Sequence, residues 1–467
     1  MADVLPSGAS RALRAVQALD AWASTSEVQE AVFGSLVAWQ QPRWATSALA
    51  KLAEAKKGQV AAQVLTAMRD GAAETSTFHY NAAISACASS GLWRWALHLL
   101  LSMSTLRAPC SAVSFGSAIS ACETCSEWQR AVQLFAMCAE ARLRHNIVIY
   151  NSLMSACAAA SRWQSALWLL AEGHLAGLTP TVISYGAAIS ACEKGGQWQL
   201  ASSMLISSPN SRVQPNTVTC DSCISAFEKG SQWQMAVDLL RYMHLSKVRC
   251  VDISFNAALS AFDKSGRWQL AVHALGAMRH LAVGWDVISF DASVSAVGGA
   301  GKWRRSLRLL NHVAASQVRP VVITFNSAIS ACEKGGQWQH SLGLLGTLSS
   351  EWTRPSVISF NGSISACEAC GEPWPMALQL VAALHKAQLD ATGVTFSSAI
   401  SACEKGERWN WVLRFLEGWL LSRARPDEIT CRAVISACIK SDWWEQALIN
   451  LGAMREASLA KFLDLTG

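Results

Sequence analysis

Sixteen cysteines and ten histidines are the residues of this 467-residue chain best equipped for redox or metal chemistry. Three pairs, Cys122/Cys125, Cys220/Cys223 and Cys367/Cys370, have C-x-x-C spacing. Each pair lies in a stretch patterned as a helix, and none has a matching second pair to complete a four-ligand site. Cys87, Cys122, Cys157, Cys192, Cys332, Cys367, Cys403 and Cys438 instead occupy one phase of a repeat, and Phe227, Phe262 and Val297 fill that phase in other copies. A position that accepts Phe or Val is a core position, so these thiols read as small buried residues in a reducing compartment. The histidines are scattered, with no H-x-E partnered to a zinc C-x-x-C. There is also no P-loop and no acidic nuclease cluster. The expectation is a chain without catalysis of its own, with no metal, cofactor or small-molecule substrate.

Composition agrees with a folded protein: 51% hydrophobic residues supply a core, and only 15% are charged. A net charge of +6 tolerates a polyanionic partner without requiring one. The uncharged stretches 75–93 and 173–192 are rich in Ser, Thr and Gly, and the second holds Pro180, so no membrane span is expected. The first 20 or so residues carry Arg11 and Arg14 against Asp3 and Asp20, a pattern similar to an organellar transit peptide. A chloroplast or mitochondrial location is the expectation, with the cytoplasm left open.

The elements that position these residues follow from the tryptophans. Trp93, Trp128, Trp163, Trp198, Trp233, Trp268, Trp303 and Trp338 are each 35 residues apart; Trp374 follows after 36, then Trp409 and Trp444 at 35 again. ISACEKGGQWQ occurs verbatim at 189–199 and 329–339. About eleven units run from residue 77 to the C-terminus, each opening like VITFNSAIS at 322–330. Ser114, Ser184, Thr219, Ser254, Ser289, Thr324, Ser359, Thr395 and Thr430 precede the aromatic position and read as N-caps of a first helix. Apolar residues such as Phe325, Ala328, Ile329 and Cys332 then follow at helical spacing. That helix stops at Gly or Ser (Gly91, Ser126, Ser161, Gly196, Gly266, Gly301, Gly336), and a second helix begins near the Trp. Pro180, Pro215, Pro320, Pro355 and Pro426 close the connection to the next unit. Such a hairpin cannot bury its apolar face alone, so stacking is required and a superhelical solenoid results. Residues 43–76 read as a degenerate N-terminal capping repeat, and 1–42 as a leader or degenerate helical segment.

Period 35, openings such as VIYN at 148–151 and ITFN at 323–326, a mid-unit Gly, W-x-x-A-L and a late Pro resemble the pentatricopeptide repeat family over roughly 77–461. The resemblance is to P-type arrays, and it implies no deaminase extension. Tetratricopeptide repeats have period 34 and a W-x-x-L-G-x-x-Y signature, which this chain lacks. The resemblance implies an all-α, right-handed superhelical solenoid that binds single-stranded RNA, one nucleotide per repeat.

In that family two positions per unit discriminate bases. The first, after the aromatic, is here Asn81, Gly116, Asn151, Gly186, Asp221, Asn256, Asp291, Asn326, Asn361, Ser397 and Arg432. The second, at the end of the unit, is Ser111, Asn146, Thr181, Asn216, Val251, Asp286, Val321, Ser356, Thr392 and Asp427. Short amides, hydroxyls and carboxylates offer directed donors and acceptors to a base edge; local capping is the other explanation. The family's preferences imply uridine for Asn256 with Asp286 and guanosine for Ser397 with Asp427. They imply pyrimidine, cytidine foremost, for Asn81 with Ser111, Asn151 with Thr181, Asn326 with Ser356 and Asn361 with Thr392. Gly116 with Asn146 and Gly186 with Asn216 lean to adenosine, whereas Asp221 with Val251, Asp291 with Val321, and Arg432 depart from the pattern.

Two further series accompany these. Phe78, Val113, Val148, Ile183, Val218, Ile253, Ile288, Ile323, Ile358, Val394 and Ile429 sandwich bases if the resemblance holds, or pack between units if it does not. Lys194, Lys229, Lys264, Lys334, Lys405 and Lys440 near the end of the first helix could contact phosphates or complement the helix dipole. Two functions are therefore on the page. One is sequence-selective binding of single-stranded RNA in organellar RNA processing, stability, editing or translation, with other RNA-processing proteins as partners. The alternative is a helical-repeat scaffold for protein–protein interaction.

Overall fold

Thirteen-residue helices recur because each is started and stopped by the same local chemistry. In a computed structural model, residues 25–33, 42–71, 75–105, 109–141, 143, 146–210, 213–315, 319–352, 354–370, 374–406 and 411–412 are described. The first helices of the repeats are Thr77–Ser89, Ala112–Thr124, Ile147–Ala159, Val182–Lys194, Thr217–Lys229, Asp252–Lys264, Val287–Gly299, Val322–Lys334, Val357–Cys370 and Gly393–Lys405. Each second helix starts on its tryptophan, as in Trp128–Glu140, Trp163–Leu175 and Trp268–His280. The described residues form helices and turns only, an all-α solenoid of stacked hairpins. The slip in tryptophan spacing coincides with a first helix, Val357–Cys370, that is 14 residues long instead of 13.

Helix ends follow the glycine and serine pattern. Gly91, Gly196, Gly266, Gly301 and Gly336 have φ between +63° and +70°, and Ser126, Ser161 and Ser231 take the same left-handed turn at +53° to +59°. The next residue then returns its N–H to the carbonyl at the cysteine phase, as Gln197 does to Cys192 at 2.9 Å and Gln337 to Cys332 at 2.8 Å.

The chain divides into two compact units, Met1–Gly230 and Ser231–Gly467. Within each, a first helix lies against the first helix of the next repeat, its own second helix and the second helix of the preceding repeat, as Ile147–Ala159 does in the first unit and Val322–Lys334 in the second. In the first unit a hairpin of Pro42–Glu54 and Gly58–Asp70 stacks on Thr77–Ser89, ahead of the regular repeats. Close approach is allowed by the residue three after the tryptophan: Ala96, Ala131, Ala166, Ala201, Ala236, Ala271 and Ala377 are fully buried. The cysteine phase is core throughout, with Cys87, Cys122, Cys157, Cys192, Cys332, Cys367 and Cys403 buried alongside Phe227, Phe262 and Val297. Burial pushes the Cys87 thiol up to about 12 and those of Cys157, Cys192, Cys332 and Cys403 to about 11. The outer partners of the C-x-x-C pairs donate to backbone of the preceding repeat: Cys125 to the Gly91 carbonyl, Cys223 to that of Ala201 and Cys370 to that of Gly336. Among the described residues no helix is long and apolar enough to cross a membrane.

Candidate functional site

The second residue of every first helix is an apolar side chain held in solvent. Phe78, Val113, Val148, Ile183, Val218, Ile253, Ile288, Ile323, Ile358 and Val394 are each 56–74% exposed, so they do not pack between units. Isolated exposed apolar residues are ordinary, but one per repeat at a constant phase forms a ladder along each compact unit. Ile429 lies outside the described residues, as do Asp427, Arg432 and Lys440.

The polar letters flank this ladder. Eight first helices take as N-cap Ser111, Asn146, Thr181, Asn216, Val251, Asp286, Val321 or Thr392, the last position of the preceding unit, and the earliest takes Ser76. This corrects the expectation that Ser114 and its counterparts are the N-caps: they stand at the third helical position. Ser111, Asn146, Thr181, Asn216 and Asp286 accept the backbone N–H three residues on, at 2.8–3.4 Å. The third residue answers by accepting the cap's own backbone N–H, as Ser184 does from Thr181 at 3.0 Å. The side chain expected to read a base at this position is therefore also the helix cap. Where Val251 and Val321 stand, only the return half of the box remains.

The first letter caps nothing; it joins repeats. The Oδ1 atoms of Asn81, Asn151, Asn326 and Asn361 each accept a 2.6 Å hydrogen bond from the third-position hydroxyl of the next first helix, donated by Ser114, Ser184, Ser359 and Thr395 respectively. Asp291 accepts in the same way from Thr324. The amide nitrogens turn toward the second letter: Asn151 Nδ2 donates to Thr181 at 3.4 Å, Asn326 to Ser356 at 3.4 Å, Asn361 to Thr392 at 3.1 Å and Asn256 to the Asp286 carboxylate at 2.8 Å. The two letters assigned to one nucleotide thus touch each other. Asn256 departs from this bridge, because Ser289 donates to the Asp286 carbonyl instead and the buried Asn256 Oδ1 has no donor. Ser397 donates within its own helix, to the Val394 carbonyl. Burial raises the Asp291 carboxyl above the usual carboxylate range, against the Thr324 hydrogen bond that lowers it.

Glycine letters lack the bridge and face apolar atoms. A Cβ on Gly116 would lie 3.6 Å from Ile149, and one on Gly186 3.4 Å from the Thr219 methyl, whose hydroxyl turns away to the Asn216 carbonyl.

The lysines stand at the other end of the first helices, about 20 Å from the caps at 1.5 Å per residue. Lys229 reaches back to the Glu193 carbonyl and carboxylate, Lys405 to the Glu368 carbonyl and Lys334 to the Gly299 carbonyl, each at a helix end one repeat earlier. Lys194 and Lys264 are exposed at the same position. The tryptophans also work between repeats. Built Cβ atoms on Gly195, Gly230, Gly335 and Gly406 would come within 2.4–2.6 Å of Trp163, Trp198, Trp303 and Trp374 of the preceding unit. Arg162, Arg267 and Arg305 lie over Trp128, Trp233 and Trp268 at 4.3–4.9 Å. Among the described residues no group of three His, Cys, Asp or Glu side chains could hold a metal ion.

This architecture has known counterparts. The pentatricopeptide repeat domain matches residues 133–194, and the PPR repeat matches 78–107 and 323–351. No curated protein matches the chain. The crystal structure of the pentatricopeptide repeat protein PPR10 in complex with an 18-nt psaJ RNA element is similar over 96% of this chain and 68% of its own, with TM-score 0.65 and 16% identity. A triple cysteine-to-serine variant of PPR10 with the same RNA element gives the same values. Residues 78–107, 133–194 and 323–351 thus match repeats of the pentatricopeptide family, and the chain shares the fold of PPR10.

Proposed function

We propose that the chain binds single-stranded RNA sequence-selectively, one nucleotide per repeat, and acts by occupying or remodelling RNA without catalysis of its own. The observation that carries this reading is the exposed apolar ladder set beside hydrogen-bonded polar letters in each first helix. Apolar contact on both faces of a base takes about 3.5 Å on each side, about 7 Å in all. Helices packed at about 8–10 Å leave room for that once their side chains splay. The letters then meet the base edge with amide, hydroxyl and carboxylate groups. PPR10, whose fold this chain shares, was crystallised in complex with RNA. Lys194, Lys229, Lys264, Lys334, Lys405 and Lys440 contribute to phosphate binding only if they release the helix-end carbonyls several of them hold. We place the protein in a chloroplast or mitochondrion, with the cytoplasm left open, 1–42 as a leader or degenerate helical segment and 43–76 as a capping repeat. There it serves processing, stability, editing or translation of a transcript alongside other RNA-processing proteins.

Filter binding of the full chain to short RNAs at several salt concentrations tests the reading. Selective binding of some sequences over others, and of RNA over double-stranded DNA, is expected. Affinity no better than that of any mildly basic protein, equal for all sequences, would overturn it and leave a helical scaffold. Nuclease treatment before a pull-down separates the two, because a scaffold keeps its partners when RNA is destroyed.

A further inference from the structure

An asparagine amide can present either its oxygen or its nitrogen to a given neighbour, and the two presentations read a base edge in opposite senses. A reading amide therefore needs something to choose its orientation. In this chain the chooser comes from the following repeat. The Ser359 hydroxyl donates to Asn326 Oδ1 at 2.6 Å while its oxygen accepts the Ser356 backbone N–H at 3.2 Å. The hydroxyl oxygen is thus anchored to its own helix start, and its single hydrogen is spent on the amide oxygen of the preceding repeat. Asn326 Nδ2 is left to face Ser356. One amide hydrogen and one oxygen lone pair remain for a ligand. Ser114, Ser184 and Thr395 repeat the arrangement.

The glycine letters obey the same logic. Where the letter is Gly116, the third position of the next helix is Ile149, which has no hydroxyl to offer. Where it is Gly186, Thr219 turns its hydroxyl away and presents its methyl. A donor is aimed across the seam at Asn81, Asn151, Asn326, Asn361 and Asp291, and is absent or redirected at Gly116 and Gly186; Asn256 is instead held through Nδ2 on the Asp286 carboxylate, and Ser289 turns to the Asp286 carbonyl.

We propose that the third-position hydroxyls Ser114, Ser184, Ser359 and Thr395 are positioning residues for base selection: each sets the amide orientation of the letter one repeat earlier without touching the base. This inference rests on the reading of the ladder face as an RNA site. It adds a specificity determinant 33 or 34 residues downstream of each letter it governs.

The full chain, its Ser359→Ala, Ser359→Thr and Thr219→Ala variants, and the pair Gly116→Asn and Gly116→Asn/Ile149→Ser are each equilibrated with a random-sequence RNA pool, and the bound RNAs are sequenced. Ser359→Ala should flatten the base preference at one nucleotide only, by about five- to tenfold, the size of one hydrogen bond. Ser359→Thr should restore it. Thr219→Ala removes an equivalent cap contact but orients no amide, so it should leave the preference profile unchanged. Gly116→Asn/Ile149→Ser should gain a preference at one nucleotide that Gly116→Asn alone lacks; this arm still reports if Ser359→Ala fails to fold. An unchanged profile for Ser359→Ala, or equal flattening by Thr219→Ala, overturns the proposal while RNA binding stands. A wild-type chain that enriches no sequence overturns the RNA reading, and the proposal with it.

Discussion

At the scale of single residues, the chain contains experiments already done by its own repeats. Asp291 occupies a position held by Asn in five other repeats, and it alone among the described bridges carries a carboxylate to Thr324. Burial raises its pKa, so the folded state binds that proton more tightly than the unfolded chain. Ionisation of Asp291 therefore opposes folding, and the stability it withholds grows as pH rises from the ordinary carboxylate range through its raised value. Asp291→Asn keeps the acceptor for Thr324 and removes the charge. The variant should be more stable at pH 7 by about 0.5–1 kcal/mol. That advantage should shrink as pH falls below the raised Asp291 value, as read by urea denaturation from pH 4 to 8. Gly195 makes a second case, because an alanine there would bring its Cβ within 2.4 Å of Trp163. Gly195→Ala should cost about 1–3 kcal/mol by overpacking, measured by the same denaturation.

At the scale of the element, the first helix divides its labour by position: cap, exposed apolar residue, oriented hydroxyl, aromatic anchor, letter. The ladder residues contribute little to the fold because most of their surface stays in water. Ile323→Ser with Ile358→Ser should leave the denaturation midpoint within about 0.5 kcal/mol of wild type. The same pair should weaken RNA binding at least tenfold, since base stacking contributes about 1–3 kcal/mol per base. Helix boundaries were legible in the sequence because tryptophan, the stop residue and the period all agree, and every second helix of a described repeat does begin on its tryptophan. The core phase of the cysteines was legible too, since Phe227 and Val297 share it. The cap was not. Two positions three apart can each hold a small polar residue, and the true cap is Val251 or Val321 in two repeats, which leaves the invariant-looking Ser or Thr as the more regular signal. The bridge from Asn326 to Ser359 was likewise hidden, because the partners lie 33 residues apart and meet only once hairpins stack.

At the scale of the whole molecule, the repeats are coupled mainly to their neighbours, so length is a free variable. Each compact unit gains stability from nearest-neighbour interfaces rather than from one central core. Excising residues 322–356, one complete 35-residue period, should leave the chain helical by circular dichroism. It should shorten the protected stretch of a bound RNA by one nucleotide in a nuclease footprint. A loss of helicity far beyond one period's share would show that the array does not tolerate such excision. Iodoacetamide gives an independent view of intactness: Cys370 is exposed and should label in the native chain, whereas the buried thiols raised to about 11 or 12 should label only on unfolding.

The glycine that makes room for the preceding tryptophan has a consequence for how such a gene can change. Tooth and notch lie in adjacent copies, so every copy carries one half of each joint. Copies with matching seams, such as the two that share ISACEKGGQWQ, can be gained, lost or traded by unequal recombination without any new joint having to arise. The message such a chain reads can then grow or shrink in whole words.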